Sequence, residues 1–243
     1  MSEPLCVIVG AGEGLGRALS AKFAKEGFNI ALISRTESGC EAASEAAKTA
    51  NNGVDVRFFP ADATEPETME SALSAVVSEM GEVDVLIYNV RGEFKSCAPL
   101  DISYTALEDN FRVEVVGAFA AAKSVLPSMI NRSRGSVFFS SATAAFRGSG
   151  RFPVYAIGKF GLRGLSQSLA KAYAKYGVHI VHFRLDCDLD VPIMRELYGD
   201  KYDPEKLANP DDVAEAYWLT CQQPKGAWSN EVEIRPSKES WTY

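Results

Sequence analysis

Apolar residues fall into short runs separated by longer stretches with helical spacing. Residues 5–9, 28–33, 54–59, 83–88, 135–140, 178–184 and 231–235 read as strands, several of them bounded by glycine or other turn residues. Between them, apolar side chains recur three and four apart. Leu15, Leu19 and Phe23 lie on one face of a helix over 17–26 that stops at Gly27. Further helices are expected over 37–51, from Pro66, over 104–130, over 153–176 and over 210–222, with an irregular aromatic and charged stretch at 185–209. Strand and helix alternate from end to end, and crossover helices between successive strands imply parallel pairing. The expectation is an α/β fold: a doubly wound, Rossmann-type, seven-stranded parallel sheet. With no linker, repeat or low-complexity segment, residues 1–243 read as a single domain.

The first strand runs into Gly10-Ala11-Gly12-Glu13-Gly14-Leu15-Gly16 and then the first helix. Glycine lets backbone approach a pyrophosphate, and a helix N-terminus offers unpaired N–H groups to its charge. This context makes the glycine turn a dinucleotide site. The second strand ends in Ser34-Arg35, with no carboxylate at its tip to take the adenosine ribose hydroxyls. Arg35 could neutralise a 2′-phosphate while lying over the adenine, with help from Arg17. That favours NADP(H) over NAD(H). The plain alternatives are a tight turn without ligand and a solvated arginine.

Candidate chemistry lies between Ser140 and Lys159. Tyr155 and Lys159 are four apart on a helix, hence on one face. A tyrosine is a poor acid or base near neutrality, with a reference pKa of about 10, and an adjacent ammonium is expected to lower it. A serine facing the phenol would orient a carbonyl oxygen. The spacing alone is weak, because Tyr202 and Lys206 repeat it around a proline, where it reads as a solvated loop or helix start.

The net charge of −7 argues against nucleic-acid binding. No apolar run approaches the roughly 20 residues of a membrane span, and an acid and a proline stand near the N-terminus where a signal peptide would be basic. Five scattered cysteines without a C-x-x-C read as reduced thiols, so the expected location is cytoplasmic. His179 and His182 lie three apart in a strand and point to opposite faces, so no metal site is expected.

Taken in order, Gly10, Gly14 and Gly16, Asp62 after the third strand, Asn89 after the fourth, and Ser141, Tyr155 and Lys159 resemble the short-chain dehydrogenase/reductase family over essentially the whole chain. The resemblance implies hydride transfer between a nicotinamide and a small-molecule carbonyl or alcohol, with Tyr155 as proton donor for reduction. Ser141 would orient the carbonyl, and Lys159 would tune the tyrosine and hold the ribose. The implied cofactor contacts are Gly10, Gly12, Glu13, Gly14, Leu15, Gly16, Arg35, Asp62, Ala63, Asn89, Tyr155 and Lys159. It also implies a homodimer or homotetramer through the long helices, and Gly117-Ala118 with Ala120-Ala121-Ala122 offers a small-residue face for packing.

Three departures stand out. The family's Asn-Asn-Ala-Gly element is partly kept as Tyr88-Asn89-Val90-Arg91. Its catalytic asparagine, three residues before a glycine matched by Gly117, is Glu114. Glu114 admits three readings: a modified proton relay or direct partner of Lys159, a structural residue, or a mark of lost activity. The family's Pro-Gly after the sixth strand is replaced within Leu185-Asp186-Cys187-Asp188, and Val191 stands where a threonine often binds cofactor. The substrate walls are expected from Arg91, Phe94, Phe146, Arg147, Arg151, Phe152, Met194, Leu197, Tyr198 and Tyr202, with 190–206 as a lid. A different class of reading, a catalytically weakened nucleotide-binding regulatory or scaffold protein, rests on Glu114 and the lost Pro-Gly.

Overall fold

The computed structural model describes residues 3–239. Seven parallel strands form one sheet in the order β3-β2-β1-β4-β5-β6-β7. They are β1 Leu5–Val9, β2 Asn29–Ser34, β3 Val56–Pro60, β4 Val85–Tyr88, β5 Gly135–Ala142, β6 Val178–Leu185 and β7 Glu231–Ile234. The central strands are apolar and buried along their length, as a sheet covered on both faces requires. On one face pack α1 (Leu15–Lys25), α2 (Glu41–Ala50) and α8 (Pro210–Cys221). On the other pack α3 (Pro66–Met80), α5 (Gly117–Asn131) and α6 (Pro153–Tyr173), with α4 (Tyr104–Phe111) lying against α6. A short helix, α7 (Pro192–Tyr198), lies in the stretch expected to be irregular.

The strand order reverses between β1 and β4, and their C-terminal ends open a crevice where ligands bind in such sheets. Two close approaches fix glycines there. Gly10 has a left-handed φ of +83°, and a Cβ on it would lie 2.8 Å from the Asn89 carbonyl oxygen. A Cβ on Gly16 would lie 2.7 Å from Ala11 Cα.

The helix expected as one piece over 104–130 is interrupted by a π-helical turn, Arg112–Val116. Three valines in Arg112-Val113-Glu114-Val115-Val116 weaken regular helix there. The buried Tyr88 hydroxyl donates to the Val113 carbonyl, so the altered backbone pattern has a partner in the core. Tyr104–Asn131 is long and apolar enough to span a membrane by length and composition, but half of its most apolar window is buried in the protein. The small-residue face also turns inward: Ala118, Ala120, Ala121 and Ala122 belong to the core, and Gly117 abuts Ala63 and Tyr88. Contrary to expectation, these residues offer no surface for another subunit.

Candidate active site

A cleft of about 620 Å³ opens at the C-terminal ends of β1, β4, β5 and β6, within the usual range for small-molecule sites. Ser141, Tyr155 and Lys159 all line it, together with Leu15, Asn89 and Arg91. β5 carries Ser141 to the cleft wall. Its buried Oγ finds no hydrogen-bond partner among the described residues. Proline at the start of α6 pre-sets the helix, which then holds Tyr155 and Lys159 one turn apart. Phe94 meets the Tyr155 ring edge-on at 5.1 Å and stacks on Phe152 at 4.1 Å, so the tyrosine sits under an aromatic roof.

Lys159 and Glu114 form an ion pair of 2.7 Å with side chains 3% and 0% exposed. The other oxygen of Glu114 accepts the Gly92 N–H at 2.8 Å. Close helix contact makes this possible: a Cβ on Gly158, next to Lys159, would lie 2.9 Å from Glu114 Cγ and 2.3 Å from Asn110 Nδ2. Asn110 lies at the same helix contact. Its amide donates to the Val154 carbonyl at 2.9 Å, tying α4 to the start of α6.

The electrostatics differ from expectation. Burial pushes the Tyr155 pKa up, and the opposing field of Lys159 does not bring it back to the usual phenol value. Glu114 adds to the rise, while Arg91 works with the lysine. For Lys159, burial alone would lower the pKa, yet Tyr155 and Glu114 leave it raised overall. The phenol is neutral near pH 7, so at that pH Glu114 is the partner that keeps Lys159 charged.

Of the cofactor residues expected from the sequence, Leu15, Asn89, Tyr155 and Lys159 line the cleft. The space beside the Gly12 Cα is open, and Gly14 would meet only Val191 Cγ1, at 3.2 Å. No side chain caps α1, and its first turn carries no acid. Asn89 Nδ2 donates to the Gly10 carbonyl at 3.1 Å, joining the β4 segment to the glycine turn. Asp62 is engaged by the Thr64 backbone and hydroxyl, at 2.9 and 2.8 Å. These bonds, with the field of Arg35, hold its carboxyl below the usual range. Leu15 lines the cleft, Ala63 lies behind Gly117, and Glu13 and Arg35 are exposed. Arg17 instead pairs with Asp211 at 2.8 Å. An open glycine cradle, an uncapped helix and an orphaned serine hydroxyl fit a dinucleotide laid across this crevice.

Of the expected walls, Arg91, Phe94, Arg147, Phe152 and Met194 line the cleft. Phe146 lies instead under the guanidinium groups of Arg163 and Arg184, 5.8 and 4.5 Å from its ring centre, and Arg151 covers the Phe152 ring. Tyr198 and Tyr202 donate to Asp188 and Asp190, each at 2.6 Å, pinning the stretch around α7. In the place of Pro-Gly, Asp186 is buried and holds Thr143 and Arg235. Burial pushes the neighbouring Cys187 thiol up to about 12, so it is no nucleophile. Glu239, which also lines the cleft, belongs to a tail with no hydrophobic pattern to announce it.

Fold and crevice together define a dinucleotide-binding α/β protein. The short chain dehydrogenase family model matches residues 5–185, and the chain belongs to that family. An uncharacterized oxidoreductase of Staphylococcus saprophyticus is 28% identical over 239 residues, covering 97% of this chain and 98% of the relative. The crystal structure of a short-chain dehydrogenase from Rhodopseudomonas palustris matches with a TM-score of 0.80 at 27% identity, covering 96% of this chain and 98% of the other. L-Sorbose reductase from Gluconobacter frateurii, solved with NADPH and L-sorbose, shares the fold, with a TM-score of 0.85 at 22% identity and coverage of 97% and 96%. The protein is an oxidoreductase.

Proposed function

We infer that the protein reduces a ketone or aldehyde to the alcohol with NADPH, using Tyr155 as the proton donor. The observation that carries this reading is the cleft that Ser141, Tyr155 and Lys159 line together, with the Ser141 Oγ free of other partners among the described residues and the phenol in its protonated form near neutrality. When bound, the nicotinamide supplies the hydride. Ser141 Oγ, free of other partners among the described residues, donates to the carbonyl oxygen and orients it. Tyr155 gives its proton to the same oxygen as negative charge develops there. Lys159 steadies the departing phenolate.

Glu114 is read as a positioning residue. Both its oxygens are engaged, by Lys159 and by the Gly92 amide, and its side chain is sealed from solvent. That arrangement suits holding the lysine charged and in place better than passing protons outward. The preference for NADPH rests on Arg35, an exposed cation at the tip of β2. The NADPH and NADP complexes of fold relatives at 22% and 20% identity agree with it. Exposed Phe111, Phe119, Ile157 and Phe160 support a homo-oligomer through the α4–α6 side.

The test is NADPH consumption against a panel of ketones and aldehydes, with Tyr155→Phe measured on the best of them. Loss of a positioned general acid should lower kcat by about 100- to 10,000-fold with NADPH affinity retained. Full turnover by the variant would remove Tyr155 from the mechanism.

A further inference from the structure

One charged group in the cleft enters this mechanism only through its field on Tyr155 and Lys159. Arg91 lies three residues beyond the end of β4, lines the cleft with Ser141 and Tyr155, and is exposed. The backbone that carries it is held on both sides. Asn89 bonds to Val9 through its amide N–H and to Gly10 through its side chain. The Gly92 N–H bonds to Glu114, and a Cβ on Gly92 would lie 2.2 Å from Asn110 Oδ1, so the turn is packed down to its backbone. Two residues on, Phe94 is clamped between Phe152 and Tyr155. An arginine on so fixed a base is placed, and its charge reaches both Tyr155 and Lys159.

The acids around it are engaged elsewhere. Asp186 holds Arg235, Asp188 accepts from Tyr198, and Glu239 pairs with Arg235 at 3.1 Å. Glu114 belongs to Lys159. No carboxylate among the described residues forms an ion pair with Arg91. A guanidinium presented to a ligand cleft beside a stacked aromatic pair suits a planar anionic oxygen pair, which it can grip with two parallel hydrogen bonds.

We propose that Arg91 is a substrate-binding residue that selects carbonyl compounds carrying a carboxylate, the rest of the substrate lying against Phe94 and Phe152. This rests on the reading of the cleft as a carbonyl-reductase site and adds the class of substrate. The carboxylate is held by the arginine while Ser141 and Tyr155 take the carbonyl oxygen, so the charge sets which end of the molecule reacts.

The experiment compares two oxo acids, benzoylformate and 4-oxo-4-phenylbutanoate, with their methyl esters, in the native enzyme and in Arg91→Gln, with NADPH. Comparing each acid-to-ester ratio of kcat/KM between the two enzymes cancels the different intrinsic reactivity of acid and ester. The ratio for at least one pair should fall about 10- to 100-fold in the variant, the loss expected for a charge-assisted hydrogen bond. NADPH affinity should stay within about 2-fold, and whatever the lost field on Tyr155 does to turnover is shared by acid and ester and cancels in the ratio. Unchanged ratios, or equal losses for acid and ester, overturn the proposal. So does a weakened NADPH affinity with the ratios intact, which would place Arg91 on the cofactor's phosphates.

If no carbonyl compound turns over, the reductase reading fails by itself. Calorimetric binding of the same four compounds to the enzyme–NADPH complex then decides the role of Arg91. Binding of the acids but not the esters, lost in Arg91→Gln, upholds it; no such difference overturns it.

Discussion

Replacing Glu114 by Gln keeps the volume and removes the charge that faces Lys159. Both side chains of the pair are sealed, at 0% and 3% exposure, so solvent cannot take over from the missing carboxylate. Breaking a buried pair by removing one partner typically costs about 3–5 kcal/mol. Glutamine also has one acceptor where Glu114 uses two, for Lys159 and for the Gly92 N–H, so one donor loses its partner. For a chain of this size each kcal/mol shifts the melting temperature by about 2–4 °C, so at pH 7 the variant should melt about 6–20 °C lower.

The pH dependence separates this mechanism from a general packing defect. In the native protein the Lys159 pKa is raised above its usual 10.5, so its contribution is complete below that value and fades as pH rises through the folded pKa. In Glu114→Gln, burial dominates and pulls the lysine below 10.5. The folded variant then releases its proton before the unfolded chain does, and its stability rises with pH by up to about 1.4 kcal/mol per unit. The gap between the two proteins should therefore narrow from pH 7 toward pH 10. Circular-dichroism melts at pH 7, 8, 9 and 9.5, without cofactor, measure it, and titrations common to both proteins cancel in the difference. A gap below about 1 kcal/mol, the level of an exposed pair, or one independent of pH would refute the buried-pair account.

Two further outcomes follow from the same geometry. Arg35→Ala should weaken NADPH binding about 10- to 100-fold, the value of a charge-assisted contact to phosphate, while NADH binding changes less than about 2-fold; equal losses in paired fluorescence titrations would remove Arg35 from cofactor choice. Gly117→Ala should destabilise by about 1–3 kcal/mol through overpacking, although alanine normally stabilises a helix interior, because its Cβ would lie 2.2 Å from the Ala63 carbonyl oxygen and 2.6 Å from Tyr88 Oη. A denaturant midpoint equal to or above the native one would show that this contact relaxes freely.

Much of this was legible in the chain. The seven apolar runs and the helices between them have local periods, and the glycines at Gly10 and Gly16 mark places where backbone meets backbone. Tyr155 and Lys159 are related by one helical turn, which spacing alone reveals. What was hidden depends on depth and partners. A lysine four residues away was expected to lower the Tyr155 pKa, but the aromatic roof and the buried Glu114 reverse the sign. Phe146, Tyr198 and Tyr202 read as cleft wall because they are aromatic and nearby in sequence. None of the three lines the cleft: Phe146 lies under arginines, Tyr198 bonds Asp188 at the cleft wall, and Tyr202 bonds Asp190. The π-helical turn at Arg112–Val116 has a compositional trace in its valines, but the tertiary bond from Tyr88 that accompanies it has none.

The central claim is that this cleft delivers a hydride to a carbonyl carbon and a proton from Tyr155 to its oxygen. NADPH carrying deuterium at the transferable C4 position tests it in a single turnover with the best carbonyl substrate. The account predicts one deuterium on the carbinol carbon of the product, formed by the native enzyme and slowed at least about 100-fold in Tyr155→Phe. A product without deuterium, or labelled product formed equally fast without the Tyr155 hydroxyl, would contradict it.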